Sequence, residues 1–308
     1  ARGRDVLVAR LGTQSGRCAL ASRASKSQDD EPLVPVMQDW DMFTFDPNRS
    51  YMMPAHFGPR QFDPRASGWY HDVTAITTSY VTDRDRLSQY VPAPFVVTDE
   101  AVVTVVYANN RRVDWLAGHG YNLIGVSASV RFNGDADVID GQFTLVMWEN
   151  LTDPILTGRE LQGVPKLYAD IEDHSVIGGV WQTSASHFGH KIIDLSARNL
   201  REPTADEIAA AADGGENTSM GWRYLPGVSG FGETTSQPTA FPSQNVITEA
   251  WVGDGAVEWQ VLSWEQNPTQ FHIVNALAGL PVLEQRPAIV SKGSTNLILL
   301  DDLPRAIS

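Results

Sequence analysis

Alternation of apolar and polar residues over strand-length segments constrains the fold of this chain more than any other feature. Within residues 121–132, apolar side chains recur at every second position: Ile124, Val126, Ala128, Val130 and Phe132. A period of two is typical of a strand with one buried face. Segments 102–107, 142–148 and 297–300 are further apolar or β-branched stretches of strand length. The pattern therefore predicts a fold built mostly of strands.

Three segments carry helical signals instead. Asp153 and Pro154 suit an N-cap and a first helical position, and Gly163 suits the end, so a helix is predicted over 153–162. An alanine-rich segment, 205–212, and an amphipathic one, 269–277, are predicted to be helical as well. Many strands, few helices and no regular alternation between them indicate an α+β protein with an antiparallel sheet or barrel and peripheral helices.

Two further segments are predicted to contain turns or loops. Segment 249–264 has the pattern of a hairpin, with Gly253, Asp254 and Gly255 supplying the turn. Segment 226–243 is rich in Pro, Gly, Ser and Thr, so it is predicted to be a long surface loop.

Composition limits the partners of this protein. The 308 residues carry a formal net charge of -14, so nucleic acids and anionic membrane surfaces would be repelled. No apolar run reaches the length of a membrane-spanning helix. The single cysteine, Cys18, excludes an intrachain disulfide framework. We expect a soluble, cytoplasmic protein that binds neither nucleic acid nor membrane.

The first part of the chain differs from the rest. Residues 1–28 hold six basic residues against one acid, Asp5. This composition suits a transit-like presequence or a basic arm, and it equally suits an extension that packs on a partner subunit or is loosely ordered. The lack of a clear 3.6-residue amphipathic stripe favours the extension.

Lys166 is the strongest candidate for chemistry. The chain has only four lysines against nineteen arginines, and Lys166 follows Pro165 just beyond the predicted helix. Lysine forms imines with ketones when desolvation keeps the amine partly neutral. On spacing alone, however, the better interpretation is a surface lysine that complements the dipole at a helix end.

The motifs around Lys166 resemble those of the acetoacetate decarboxylase family. Gly158-Arg159-Glu160-Leu161 followed by Pro165-Lys166 is similar to the family signature, in which the lysine after the proline forms the imine. Similar segments occur in the family's order at 53–59, 91–94, 131–134, 249–253, 280–284 and 303–306. The resemblance implies one domain over 51–308 with an extension over 1–50, and a mostly antiparallel cone-shaped barrel or double sheet.

The resemblance also implies a set of site residues. Lys166 is the expected catalytic residue, and the expected substrate-binding residues are Gln162, Tyr121, Arg159, Glu160, Leu123 and Val106. A glutamine four residues before the lysine, here Gln162, is a feature that resembles the family's aldolase-dehydratase branch.

The chain departs from the family at several of these positions. Leu167 stands where the family has a second lysine. Leu123 and Val106 stand where it has carboxylates, with Asn122 the nearest polar substitute, and its pocket arginine falls near Val73. Tyr121, Gln162 and Glu160 are left as candidates for the acid/base role.

A metal site and a cofactor are not expected. His187-Phe-Gly-His190 has ligand-like spacing, but Gly189 disfavours a helix and no third ligand lies nearby in sequence, so ordinary histidines are the favoured interpretation. The nine tryptophans are expected to fill the core.

Two functions of the pocket remain open from the sequence, beside a purely structural role as an assembly subunit that rests only on the extension and on the resemblance to an oligomerising family. The first is a Schiff-base-forming carbon–carbon lyase, of decarboxylase or aldolase-dehydratase type, acting on a small keto acid or ketone and assembled as a homo-oligomer. The second is a catalytically altered or silent relative that binds a hydrophobic small molecule in the same pocket. A Lys166 amine in a salt bridge or in bulk solvent would favour the second function, and an unpaired amine in a dry pocket the first.

Overall fold

The computed structural model describes residues 43–59, 67–213, 218–241, 243–297 and 305–308. These residues fall into two compact units, one comprising 43–59 and the other the later ranges. The smaller unit contains a short 3₁₀ helix, Ala55–Phe57, and three aromatic rings that meet edge to face, Phe43, Phe45 and Tyr51. The predicted basic extension over 1–28 lies outside the described residues, and the domain boundary at residue 50 stays a prediction.

The larger unit is built mostly of strands. In chain order they are β1 Trp69–Val81, β2 Phe95–Val97, β3 Val102–Val113, β4 Tyr121–Asn133, β5 Val138–Glu149, β6 Lys166–Tyr168, β7 Asp170–Ile171, β8 Ser175–Ile177, β9 Val180–His187, β10 His190–Arg201, β11 Thr218–Pro226, β12 Glu233–Phe241, β13 Gln244–Trp259, β14 Glu284–Gln285, β15 Ala288–Asn296 and β16 Arg305–Ala306. The mostly-strand class predicted from the alternation is confirmed.

The described strands form one sheet whose path is open. Its order is β16-β12-β11-β5-β4-β3-β1-β15-β13-β10-β9-β7, with β2, β6, β8 and β14 pairing off this path. Most pairs are antiparallel, as predicted, but β6 and β11 both run parallel to β5. A crossover is needed to bring a strand back parallel to its neighbour. The crossover between β5 and β6 is the segment that carries the family signature.

The described residues include four α-helices beside the sheet: α1 Arg84–Ser88, α2 Thr152–Thr157, α3 Ala205–Asp213 and α4 Phe271–Ala278. The helix predicted over 153–162 is present as α2 followed by a π-helical turn, Gly158–Gln162, and it ends at Gly163 in a left-handed conformation. Its N-cap is Leu151 rather than Asp153. No described helix combines the length and the apolar character that crossing a membrane requires.

The alternation in β3 and β4 separates a packed core from a cavity. Val103, Val105 and Tyr107 are fully buried on one face of β3, where they join the main hydrophobic cluster of the sheet. Thr104, Val106, Ala108 and Asn110 lie on the other face and line a cavity. Because neighbouring strands share this pattern, one face of the sheet supports the fold and the other is available for a ligand.

Two sequence predictions are wrong. Segment 249–264 does not form a hairpin, because β13 runs unbroken through Gly253, Asp254 and Gly255. A Cβ at Gly253 would collide with the carbonyl of Arg198, beside an irregularity in the pairing of β10 with β13. These glycines therefore permit close approach of a neighbouring strand, which local turn statistics do not distinguish from a turn.

The long loop predicted over 226–243 is also wrong. The connection between β11 and β12 is limited to residues 227–232, and residues 233–241 form β12. Pro238 lies within β12 near one edge of the sheet, and its carbonyl accepts a hydrogen bond from Ile307. A proline is tolerated there because a strand close to a sheet edge need not donate every backbone hydrogen bond.

Candidate active site

A cavity of about 470 Å³ lies on the face of the sheet opposite the main core. Strands β1, β3, β4, β5, β13 and β15 supply most of its wall, and β6 closes one end. Its apolar lining consists of Val73, Ala75, Val106, Ala108, Leu123, Met147, Val164, Val246, Ile247, Phe241 and Leu297. A concave, mostly apolar pocket with a few polar groups is the usual form of a small-molecule site.

The crossover between β5 and β6 holds Lys166 against this cavity. The left-handed conformation of Gly163 ends the π-helical turn, and Val164 then donates a backbone hydrogen bond to the carbonyl of Gly158. Lys166 begins β6 opposite Met147 of β5. The guanidinium of Arg159 donates a hydrogen bond of 2.8 Å to the carbonyl of Lys166. These contacts fix the backbone from which the lysine side chain extends.

The lysine side chain is buried and ion-paired. Lys166 is 8% exposed, and its Nζ lies 2.8 Å from Oε1 of Glu149, which is fully buried. The same Nζ donates a hydrogen bond of 3.1 Å to the carbonyl of Pro154 in α2. Both side chains line the cavity. The amine is therefore held between a carboxylate and a helix carbonyl, at the edge of the space that a ligand would occupy.

Glu149 is an unusual carboxylate. Burial raises its pKa, and the positive charge of Lys166 opposes that rise without cancelling it. Neither of its oxygens accepts a geometrically well-formed hydrogen bond from the described residues, so the ion pair with Lys166 is its main stabilising contact. Buried polar groups are normally satisfied, and a carboxyl group that is not marks a place where a ligand or proton is exchanged.

Gly158 provides the space through which the lysine reaches Glu149. A Cβ at this position would lie 2.5 Å from Cε of Lys166, 2.6 Å from Cδ and 2.9 Å from Nζ. The backbone of Gly158 is ordinary right-handed helix, with φ of -65°. The glycine is therefore required by the neighbouring side chain and not by its own conformation.

A pair of tyrosines forms another polar part of the cavity wall. The hydroxyls of Tyr70 and Tyr121 are 3.1 Å apart, and the indole N–H of Trp115 donates to Tyr70 at 3.0 Å. Burial raises the pKa of Tyr70 to about 12 and raises that of Tyr121 well above its ordinary value. Both hydroxyls are protonated at neutral pH. One of them donates its hydrogen to the other, so the pair can donate one hydrogen bond to a ligand.

Asn110 adds a polar group that has no partner. The residue is 4% exposed and lines the cavity beside Tyr121, its cross-strand neighbour in β4. Its side-chain Nδ2 is buried and donates no hydrogen bond within the described residues. A buried amide of this kind is costly unless something in the cavity accepts from it.

No described group of three or more His, Cys, Asp or Glu residues is arranged to hold a metal ion. His187 and His190 are cross-strand partners at the end of the β9–β10 hairpin, whose turn is formed by Phe188 and Gly189. Their spacing in sequence therefore reflects a two-residue turn.

Comparison with known proteins identifies the family. The family model described as acetoacetate decarboxylase matches residues 52–287, which is more than half of the chain. This chain is a member of the acetoacetate decarboxylase family. The acetoacetate decarboxylase of Burkholderia ambifaria strain MC40-6 is 28% identical over 217 residues, covering 68% of this chain and 77% of the relative. That of Burkholderia multivorans is 27% identical over 210 residues, with the same coverage.

Solved structures share the fold of this family member. An acetoacetate decarboxylase from Legionella pneumophila superposes with a TM-score of 0.63 at 17% identity, covering 82% of this chain and 92% of that one. An acetoacetate decarboxylase-like enzyme from Sphingomonas wittichii RW1 gives 0.61 at 16% identity, covering 84% and 98%. The enduracididine biosynthesis enzyme MppR, solved with pyruvate, gives 0.58 at 14% identity, covering 79% and 91%.

Five of the seven residues expected at the site line the cavity of this family member. These are Lys166, Gln162, Tyr121, Leu123 and Val106. Arg159 and Glu160 do not line it: Arg159 is exposed and binds the backbone of Lys166, and the carbonyl of Glu160 accepts a hydrogen bond from Arg223. Their assignment as substrate contacts stays a prediction, and the contacts that the structure gives to both residues involve the backbone of the crossover.

Asn122 does not substitute for the family carboxylate. Its side chain lies on the opposite face of β4 from Leu123, where it donates to Asp173 and accepts from Asn109 and Arg111. Successive residues of a strand point to opposite faces, so the residue next to Leu123 cannot reach the cavity.

The resemblance places a carboxylate at position 123, where this chain has leucine. A carboxyl group is present on the neighbouring strand, at Glu149. Leu123 of β4 and Glu149 of β5 are direct cross-strand partners. Opposite residues of an antiparallel pair point to the same face, so Glu149 offers its carboxyl group to the space that a residue 123 side chain also faces. The sequence analysis missed Glu149, Tyr70 and Asn110. The available signal for Glu149 was an acidic residue directly after an apolar strand segment. Only the pairing of β4 with β5 shows that its side chain faces the cavity.

Proposed function

We propose that this protein is a Schiff-base-forming carbon–carbon lyase that acts on a ketone or keto acid through Lys166. Membership of the acetoacetate decarboxylase family supports a lyase-type enzyme. The observation that carries the finer proposal is the buried pair of Lys166 Nζ and Glu149 Oε1, 2.8 Å apart in the wall of a mostly apolar cavity. Glu149 supplies the acid/base group that the sequence patterns did not identify.

Glu149 makes imine chemistry feasible at Lys166. An ammonium group is not a nucleophile, so a base must first accept its proton, and Glu149 is in contact with the amine. Burial raises the pKa of Glu149, which makes its carboxylate a stronger base toward the ammonium in contact with it. The neutral amine then attacks the carbonyl carbon. The carboxylic acid next protonates the carbinolamine oxygen, water leaves, and the carboxylate that remains faces the iminium.

The iminium then acts as the electron acceptor of the reaction. The bond between the α carbon and the carbon beyond it breaks, and that carbon leaves as carbon dioxide or as a carbonyl compound. The electron pair of the broken bond forms the carbon–carbon double bond of an enamine, while the electrons of the C=N bond move onto the nitrogen. Protonation of the enamine carbon and hydrolysis release the ketone and regenerate the amine. The hydrogen-bonded pair of Tyr121 and Tyr70 is placed to donate one hydrogen bond to a bound oxygen. The proposal includes no metal and no organic cofactor, and we further propose a cytoplasmic homo-oligomer.

The ion pair itself favours a second candidate, a silent relative that only binds a hydrophobic small molecule. A salt-bridged Lys166 was the sequence-based criterion for that function, and Lys166 is salt-bridged. Because the partner lines the cavity and has a raised pKa, the pair also fits a proton-transfer role, so only a chemical test separates the two candidates.

Reductive trapping tests the lyase proposal. The protein is incubated with a panel of ketones and keto acids, reduced with borohydride and digested, and the Lys166 peptide is examined by mass spectrometry. We expect a stable adduct on Lys166 that disappears in Lys166→Arg and persists in Lys191→Arg, a matched change at a half-exposed surface lysine. Saturable binding of the panel without any adduct would support the silent relative and reject the lyase.

Glu149→Gln tests the acid/base assignment. We expect imine formation to slow by about 10²-fold, since loss of a positioned acid/base typically costs that much. In the parent protein the rate should rise with pH through the raised pKa of Glu149, above the ordinary value of 4.5, because the carboxylate is the base. This acidic limb should be absent from the variant. An unchanged pH profile would assign the proton transfer to another group.

A further inference from the structure

We propose that the cavity selects an uncharged carbonyl compound with a second neutral oxygen, such as a hydroxyketone, over a keto acid. This inference rests on the proposed imine chemistry at Lys166 and narrows its substrate class. Three observations carry it: the charge balance of the cavity, the position of the remaining cation, and the unpartnered amide of Asn110.

The charges inside the cavity are already balanced. Among the described lining residues, the carboxylate of Glu149 and the ammonium of Lys166 neutralise one another, and no arginine is present. Converting the amine to an iminium leaves this balance unchanged, because the iminium carries the same positive charge. A substrate carboxylate would add a second buried negative charge close to Glu149 without a counter-ion. Buried charges are tolerated only when they are paired.

Lys292 does not supply the missing positive charge. It contributes to the cavity wall, but its Nζ lies 5.6 Å from the centre of the Trp251 ring and 4.0 Å from Glu249. Lys292 pairs with Thr74 of β1, whereas the residues on either side of Thr74, Val73 and Ala75, line the cavity. Because strand residues alternate between faces, the ammonium of Lys292 is directed to the opposite face of the sheet.

The nearest arginines are also engaged elsewhere. Arg111 contacts Asp173 at 2.6 Å on the opposite face of the sheet. Arg159 binds the carbonyl of Lys166, and Arg223 binds the carbonyl of Glu160. The position at which the resemblance places a pocket arginine is occupied by Val73. The cavity therefore has apolar surface where a carboxylate would need a cation.

Asn110 indicates that the substrate carries a neutral oxygen in place of a carboxylate. Its unpartnered Nδ2 needs an acceptor, and an alcohol or carbonyl oxygen satisfies an amide donor without bringing a charge. Asn110 lies two residues along β3 from Ala108, and Ala108, Leu123 and Glu149 are successive cross-strand partners. Strand spacing and rise put the Cα atoms of Asn110 and Glu149 roughly 12 Å apart. The second oxygen should therefore lie several bonds from the carbonyl that reacts with Lys166.

An uncharged substrate points to aldol-type cleavage and not to decarboxylation. In a β-hydroxyketone bound as the iminium, a base removes the proton of the β-hydroxyl, which lies close to the iminium and is a different group from the oxygen at Asn110. The bond between the α and β carbons then breaks. Its electron pair forms the enamine, and the β carbon leaves as an aldehyde or ketone. Protonation and hydrolysis of the enamine release the second carbonyl compound. Glu149 is the base in contact with the imine nitrogen, and its Oε2 has no other hydrogen-bond partner among the described residues.

Matched ketones test the proposal. Reductive trapping is compared for 5-hydroxy-2-pentanone and 4-oxopentanoate, which share the carbonyl position and chain length and differ in the terminal alcohol or carboxylate. We expect the hydroxyketone to label Lys166 at a half-saturating concentration at least tenfold lower. Equal or better labelling by the keto acid overturns the inference while leaving the imine chemistry intact. No labelling by either compound overturns the proposed function together with the inference.

Two variants locate the cause of the preference. Val73→Arg adds a cation on the cavity face of β1, so labelling by 4-oxopentanoate should improve at least tenfold. Asn110→Leu should raise the half-saturating concentration of 5-hydroxy-2-pentanone about tenfold more than that of 2-pentanone, which lacks the second oxygen. Equal effects on both ketones would show that Asn110 is only structural and would overturn its part of the inference. Thermal unfolding of each variant verifies that it is folded.

Discussion

The position of the Lys166 side chain depends on the missing side chain of Gly158 as much as on the contact with Glu149. A side chain at position 158 would occupy the path of the lysine stem, and only glycine leaves that path open. The family signature thus has a steric reason for its glycine that the motif alone does not reveal. Arg159, the next residue, then holds the carbonyl of Lys166.

We predict that Gly158→Ala abolishes labelling of Lys166 without unfolding the protein. The added methyl would lie 2.5 Å from Cε, so the lysine must leave its contact with Glu149. A displacement of about 1 Å at a reacting group can cost on the order of 10²-fold in rate. Alanine is favoured over glycine in a helix, but separating Lys166 from the buried Glu149 removes stability, so the melting temperature should fall while the protein stays folded. The measurement is the rate of borohydride trapping beside a melting curve.

Gly279→Ala is the control for this prediction. Gly279 follows α4 in a right-handed conformation, and a Cβ there approaches only backbone oxygens at 3.3 Å and 3.4 Å. We expect labelling of Lys166 in this variant to match that of the parent. Undiminished labelling in Gly158→Ala would mean that Lys166 reacts from another rotamer, without Glu149.

At the scale of elements, the sequence predicted strands better than it predicted which residues face one another. The alternation in β4 and the apolar runs in β3 and β5 located those strands correctly. The facing of Leu123 and Glu149 could not be predicted, because it depends on the β4–β5 register, and an irregularity between Val126 and Ser127 shifts that register. A one-residue slip in register moves every side chain of a strand to the other face of the sheet. A carboxyl group on a neighbouring strand therefore cannot be assigned to the cavity without knowing the strand pairing.

The register leads to a swap experiment. We predict that Glu149→Leu nearly eliminates imine formation. Adding Leu123→Glu to this variant should raise the rate of imine formation at least tenfold. The second change returns a carboxylate to the same cavity face from the opposite strand, where facing Cβ atoms are about 4.5–5.5 Å apart. The melting temperature should recover as well, because Glu149→Leu alone leaves the buried ammonium of Lys166 without its counter-charge.

Leu123→Gln combined with Glu149→Leu is the matched control, since it restores size and polarity without the charge. Rescue by glutamine equal to that by glutamate would mean that the cavity needs a hydrogen-bonding group at this place and not a carboxylate. Leu123→Glu alone places two carboxyl groups opposite one another. We expect it to lower stability, because like charges at facing positions repel.

At the scale of the whole molecule, the fold class was predictable and the polar network that connects its parts was not. Asp173, in the connection between β7 and β8, accepts hydrogen bonds from Asn109 in β3 and Asn122 in β4 and pairs with Arg111. These partners are more than fifty residues away in sequence, so no local pattern brings them together. The hydrogen bond from Asn122 and the charge of Arg111 lower the pKa of Asp173 from its ordinary value of 3.8.

We predict that Asp173→Asn destabilises the protein at neutral pH and not in acid. A carboxyl group whose folded pKa is lowered contributes stability above its unfolded value, here 3.8, and loses it as pH falls through the folded value. The side chain is two-thirds exposed, so the contribution is at most about 1 kcal/mol. For a domain of this size we expect the melting temperature to fall by about 1–2 °C at pH 7. The difference should vanish near pH 2.

Asp99→Asn separates this effect from that of net charge. The protein carries -14, so removing any one negative charge reduces the overall repulsion. Asp99 is fully exposed and lies 3.9 Å from its nearest cation, on Arg84, so its replacement reports mainly on that general effect. If Asp173→Asn follows Asp99→Asn at every pH, the network around Asn122 contributes nothing to stability. A difference confined to pH values above about 4 would instead show that Asp173 connects β3 and β4 to the β7–β8 connection only while it is ionised.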